Sequence, residues 1–149
     1  MPIHIDTNVP IYTAGRPHSL KAPCQEVTRL VAAAPNAFAT DAEVLQELLH
    51  YYVAGHNWGP GLLGEAVFRA FATLMGGRIE PIAAADVMDA AELAAQHPRL
   101  SARDVLHVAV MKRTGVTHIV SADQDFDSVQ GIQRLDPAQV AAWRRELGL

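Results

Sequence analysis

The chain begins MPIHIDTNVPIY (Met1–Tyr12), an apolar run that meets Asp6-Thr7-Asn8 and then turns apolar again. How that stretch is read decides the fold. Asp, Thr and Asn bond their own backbone well and favour strand ends, so a plain turn accounts for all three. An open α/β fold offers a second reading, because its ligands bind at the carboxyl edge of a parallel sheet. Under that reading Asp6 is a candidate ligand, and the rest of the chain has to decide.

Outward from Asp6, short apolar runs alternate with longer helical patterns, which is the signature of βαβ units and a parallel sheet. The runs predict strands near Ile3–Asp6, Ala37–Thr40, Arg78–Ile82, His118–Ser121 and Ile132–Arg134, the last a short edge strand. Helical spacing covers roughly Lys21–Ala34, Asp41–Ala54, Leu62–Met75, Ala84–Gln96 and Ala102–Thr114. A closing helix follows Asp136-Pro137, with Asp as the cap and Pro in the first helical position. Thr40-Asp41-Ala42-Glu43 and Ser101-Ala102-Arg103-Asp104 both read as capping boxes. GHNWGPG (Gly55–Gly61) is the strongest Gly/Pro punctuation and reads as a loop between two helices. With no repeat or linker, one domain over residues 1–149 is expected.

Composition narrows the class. Half the residues are apolar and 19% are charged, which argues against disorder. No apolar run approaches the ~20 residues of a membrane span, and no basic segment followed by an apolar one suggests a signal peptide. Cys24 is the single cysteine, so an internal disulfide and a CxxC site are excluded. The expectation is a cytoplasmic protein with no membrane partner. A net charge of −4 does not advertise a nucleic-acid binder. It does not exclude one, since bound cations draw phosphate to an acidic site.

The acidic residues at strand ends and within apolar helices carry the functional argument. Glu47 lies in EVLQELLHYY (Glu43–Tyr52), about 60° outside the stripe of Val44, Leu45, Leu48, Leu49 and Tyr52, so it borders the core. Asp104 opens RDVLHVAVM (Arg103–Met111), a nearly all-apolar helix, where the helix dipole already favours an acid. His107, one turn on, could pair with Asp104, although a single His on a buried helix is more often a hydrogen-bonded core residue. Asp123 is the most telling. HIVSADQDFD (His118–Asp127) runs out of a strand into three acids, and such crowding costs stability unless a cation or an Arg/Lys absorbs it. In a parallel sheet the strand ends and following helix starts share one face, so Asp6, Glu47, Asp104 and Asp123 can converge. Carboxylates without Cys or a helical His pair select Mg²⁺ or Mn²⁺ over Zn²⁺.

Four segments taken together, IDTNVPIY (Ile5–Tyr12), VLQELLHYY (Val44–Tyr52), LSARDVLHVAVMKRTG (Leu100–Gly115) and IVSADQDFD (Ile119–Asp127), resemble in order and spacing the motifs of PIN-domain ribonucleases, and more narrowly the VapC toxins. The likeness runs from Ile5 to about Pro137. It implies that Asp6, Glu47, Asp104 and Asp123 are the catalytic, metal-holding acids. Thr7, Asn8 and Ser121 match supporting residues, and Asp125 and Asp127 match positions that are often acidic. The resemblance further implies a three-layer α/β/α fold with a parallel sheet of about five strands, Mg²⁺ or Mn²⁺ dependence, an RNA substrate, homodimers and a cognate antitoxin.

Arg99 and Arg103, neighbours of Asp104, are candidate phosphate contacts, and Trp58 could stack on a base or pack against a partner. The apolar helical pair from Glu47 to Leu74 is either core or, by the resemblance, part of an antitoxin groove. A solitary RNA-processing nuclease and a non-catalytic binding module stay open as alternatives. A haloacid-dehalogenase-like phosphatase falls behind, because its second acid would stand where Asn8 is. A receiver domain falls behind for want of its mid-chain acceptor Asp and late Lys.

Overall fold

A computed structural model describes residues 1–149. Five strands form one parallel sheet in the order β3-β2-β1-β4-β5. They are β1 (Ile3–Ile5), β2 (Phe38–Asp41), β3 (Ile79–Glu80), β4 (His118–Val120) and β5 (Gln133–Leu135). Strands β1 and β2 are buried at every position, as expected where helices cover both faces. The register pairs Ile3 with Phe38 on one side and with His118 on the other. The chain builds outward from β1 through β2 to β3, then crosses back to β4 and β5. The order therefore reverses at β1, and Asp6 follows β1 directly at that switch point.

Seven helices complete the layers: α1 (Asn8–Ala14), α2 (Lys21–Ala33), α3 (Ala42–Ala54), α4 (Leu63–Leu74), α5 (Ala84–Gln96), α6 (Ala102–Thr114) and α7 (Val140–Glu146). Alternate strand residues face opposite sides. Ile3, Ile5 and Val120 join Val27, Leu48 and Phe71 in the larger core, while Ile119 joins Val105, Val108 and Phe126 in the smaller one. The three-layer arrangement follows from that alternation. No helix is long and apolar enough to cross a membrane.

Two local expectations give way. Residues after Asp6 form helix α1 rather than a turn; its seven residues are too few for a periodic signal, and Pro10 sits in the first turn, where no amide is needed. The start of α3 is also built differently. Thr40 lies within β2 and its hydroxyl donates to the Ile5 carbonyl at 2.9 Å, so Asp41, the last residue of β2, is the cap, accepting from the Val44 amide at 2.9 Å. Glu43 takes no capping role. At α6 the box forms as read: the Asp104 amide donates to Ser101 Oγ at 3.1 Å and the Ser101 amide to Asp104 Oδ2 at 3.0 Å. At the chain end, Pro137–Gln139 is a single 3₁₀ turn that leads into α7.

Candidate active site

Asp6, Glu47, Asp104 and Asp123 line one open cup of about 270 Å³ at the carboxyl end of the sheet, together with Thr7, Asn8, His50, Tyr51 and Arg103. The strand end, the helix after β2, the start of α6 and the turn after β4 each deliver one acid. Asp6 is the most tightly held of them. Its Oδ1 accepts from the Thr7 amide at 2.7 Å, and its Oδ2 accepts from Ser121 Oγ at 2.6 Å and Asn8 Nδ2 at 3.0 Å. Ser121 Oγ in turn accepts from Asn8 Nδ2 at 2.9 Å and from the Asp123 amide at 3.0 Å. Thr7, Asn8 and Ser121 thus tie the ends of β1 and β4 into one frame.

The three acids after β4 part company. The Asp123 carboxylate faces the cup and caps the next turn, accepting from the Asp125 amide at 2.9 Å. Asp125 contributes that backbone contact and does not line the cup. Asp127 is turned to solvent, where Arg134 grips it through Nε at 2.8 Å and Nη2 at 3.2 Å. An arginine, not a metal, absorbs that part of the charge crowding. Among the basic candidates, Arg103 lines the cup and lies 3.8 Å from Glu43, whereas Arg99 is exposed and outside the lining. Trp58 packs edge-on against Phe68, with ring centroids 5.3 Å apart, at the margin of the larger core.

Beneath the cup lies a buried polar chain that the sequence reading did not assemble. His107 does not pair with Asp104. Its Nδ1 lies 2.8 Å from Asp41 Oδ2 and its Nε2 lies 3.2 Å from Glu47 Oε2, with Asp6 Oδ1 at 4.0 Å. His4 Nε2 reaches the same Asp41 oxygen at 3.0 Å, and Thr7 Oγ1 donates to Glu47 Oε2. The only sequence signal was a titratable residue interrupting an apolar run, as in IHI, FATD and VLHVAV. Periodicity assigns all three to the core and says nothing of contacts 37 and 66 residues apart.

Electrostatics divide the site into two tiers. Burial alone would push the Asp41 carboxyl up, but His107 and His4 together hold it well below the usual carboxylate range. Burial likewise opposes a charged His107, and Asp41, Glu47 and Asp6 outweigh it, lifting its pKa well above the ordinary histidine value. Glu47 is lowered: burial would raise it, and His107 and Thr7 more than offset that. In the upper tier, burial, with the charges of Asp6 and Asp123, raises Asp104 despite its two bonds to Ser101. Such a cup gains from an added positive charge.

Ligand atoms of Asp6, Glu47 and His107 lie within 4.8 Å of one another, as do those of His4, Asp41 and His107. The deeper trio is closed from solvent and already knit together at Asp41 Oδ2, which both imidazoles reach, while His4 Nδ1 is buried without a partner. The cup is open, rich in oxygen donors and short of positive charge, so the residues present fit a hard divalent cation.

The PIN domain profile matches residues 3–132. Ribonuclease VapC13 of Mycobacterium tuberculosis strain H37Rv is 38% identical over 135 residues, covering 89% of this chain and 98% of the relative. Ribonuclease VapC23 of the same strain is 40% identical over 129 residues, covering 85% and 96%. Among solved structures, the sarcin-ricin loop cleaving toxin VapC20 of Mycobacterium tuberculosis superposes with a TM-score of 0.66 at 22% identity, over 85% of this chain and 93% of that one. A toxin–antitoxin complex from Klebsiella pneumoniae gives a TM-score of 0.63 at 16% identity, over 91% and 97%.

Proposed function

The chain belongs to the PIN domain family, and from that premise we propose that it is a metal-dependent endoribonuclease acting as the toxin of a toxin–antitoxin pair. The observation that carries this reading is the convergence of Asp6, Glu47, Asp104 and Asp123, from four separate elements, on one cup. Ribonuclease relatives at 38% and 40% identity over most of their length support it.

Asp6, Asp104 and Asp123 would hold Mg²⁺ or Mn²⁺, with Glu47 reaching it directly or through water. When bound, such an ion polarises the scissile phosphate and lowers the pKa of the attacking water. The chain supplies the rest. Thr7, Asn8 and Ser121 donate to the Asp6 oxygens and so hold that carboxylate in one orientation. Arg103 stands at the rim, where an RNA phosphate approaching the acids meets a positive charge. Arg99 is exposed outside that lining, where it would meet phosphates further along an RNA strand, and Asp125 and Asp127 do not line the cup. An antitoxin segment and a second copy of the chain are the proposed protein partners. Leu49, Tyr51, Val53, Leu62 and Leu63 leave apolar surface exposed on α3 and at the entry to α4 that suits an amphipathic helix.

The test is growth. Induced expression of the chain in a bacterial host should halt growth, and the Asp104→Asn variant at equal level should not. Unimpeded growth with the unaltered chain abundant and folded would rule out the toxin reading.

A further inference from the structure

We propose that His107 is a positioning residue for divalent-ion binding: it fixes which oxygen of Glu47 faces the cup. The inference rests on the metal-site reading above and extends it to a residue that touches neither solvent nor substrate. His107 is fully buried on α6, and Glu47 projects from α3. The ring bridges two carboxylates, Asp41 at Nδ1 (2.8 Å) and Glu47 at Nε2 (3.2 Å). Carboxylates only accept, so the ring acts as donor on both sides.

The remote end of this bridge is anchored independently. Asp41 Oδ1 accepts from the Val44 amide at 2.9 Å, and Oδ2 accepts from His4 Nε2 at 3.0 Å. Asp41 is therefore tied to β1 and to the first turn of α3, and the imidazole it holds cannot swing away. At the near end, His107 and Thr7 both donate to Oε2 of Glu47. Two donors on one oxygen leave Oε1 as the Glu47 atom without a protein donor and so available to an ion in the cup. Glu47 would otherwise sample many rotamers, and an entering ion would have to order it. Groups that orient a metal-binding side chain through a hydrogen bond typically change metal affinity by about 10- to 100-fold when removed.

Two substitutions separate positioning from simple packing. His107→Gln places an amide nitrogen near the position of Nε2 and keeps a donor to Glu47. His107→Asn places one near Nδ1, keeping the Asp41 bond and losing the Glu47 bond. Mn²⁺ affinity is measured by titration, with thermal melts to check folding. The Asn variant should bind Mn²⁺ about 10-fold or more weakly, while the Gln variant stays near the unaltered protein. A purely structural role predicts the reverse order, because Asn preserves the more buried bond; that order, or equal affinities, overturns the proposal. Failure of the unaltered protein to bind Mn²⁺ would instead remove the metal-site reading beneath it. One further measurement leaves His107 unaltered, should His107→Asn not fold. Pulsed EPR of Mn²⁺ bound to His50→Ala, which removes the other imidazole lining the cup, should show no directly coordinated nitrogen. A ligand nitrogen signal in that protein would make His107 a ligand and refute the positioning role.

Discussion

Asp41 holds the lower tier of the site together, and its burial makes it the residue where a single atom matters most. One oxygen takes two imidazoles while the other caps α3. Replacing a fully buried charged partner leaves the remaining charge without compensation, at a cost of about 3–5 kcal/mol. Urea unfolding of Asp41→Asn should therefore show a loss of that order; a change near zero would mean the histidines do not depend on it. The pH dependence has a definite sign. Because the folded pKa of Asp41 is depressed, its stabilisation is fully present above the ordinary carboxylate pKa of about 4 and is lost as pH falls below it. Asp41→Asn should flatten the acid limb of the stability curve. At this scale the four cup acids were legible, since strand ends and helix starts are recognisable positions. His4, Asp41 and His107 were not, because each looks like core and their meeting is a product of the tertiary fold.

The elements owe their placement to contacts of different visibility. Helices α5 and α6 run over the residues their spacing predicts, and the Ser101–Asp104 box is a local motif that the sequence displays directly. Helix α1 was hidden by its brevity, and the α3 cap was misplaced by one residue because Thr40 and Asp41 are both good caps. Sheet pairing decided between them by drawing the Thr40 hydroxyl to Ile5. The α3–α4 junction depends on a close approach that spacing cannot reveal. A Cβ on Gly64 would lie 2.0 Å from the Asn57 carbonyl oxygen and 2.6 Å from Tyr52 Cβ. Gly64→Ala should consequently destabilise the protein by about 1–3 kcal/mol, as overpacking does, and loosen the α3–α4 hairpin near the cup. Thermal unfolding indistinguishable from the parent would show that the junction yields freely.

Across the whole molecule, the alternation of strand and helix was enough to predict a parallel sheet, and the crossover at β1 explains why Asp6 stands at its functional edge. The overall charge of −4 gave no guidance to the substrate. What matters is local: four carboxylates gathered against the Arg103 side chain and, beneath them, His107. The most direct test of this account incubates end-labelled total cellular RNA with the purified protein and with Asp6→Asn, in Mg²⁺, in Mn²⁺ and in EDTA. Discrete cuts that require metal and vanish in the Asp6→Asn lane are the predicted result, and the bands identify the RNA. Cleavage that survives EDTA or the Asp6 substitution, or no cleavage by folded protein with either ion, would contradict it.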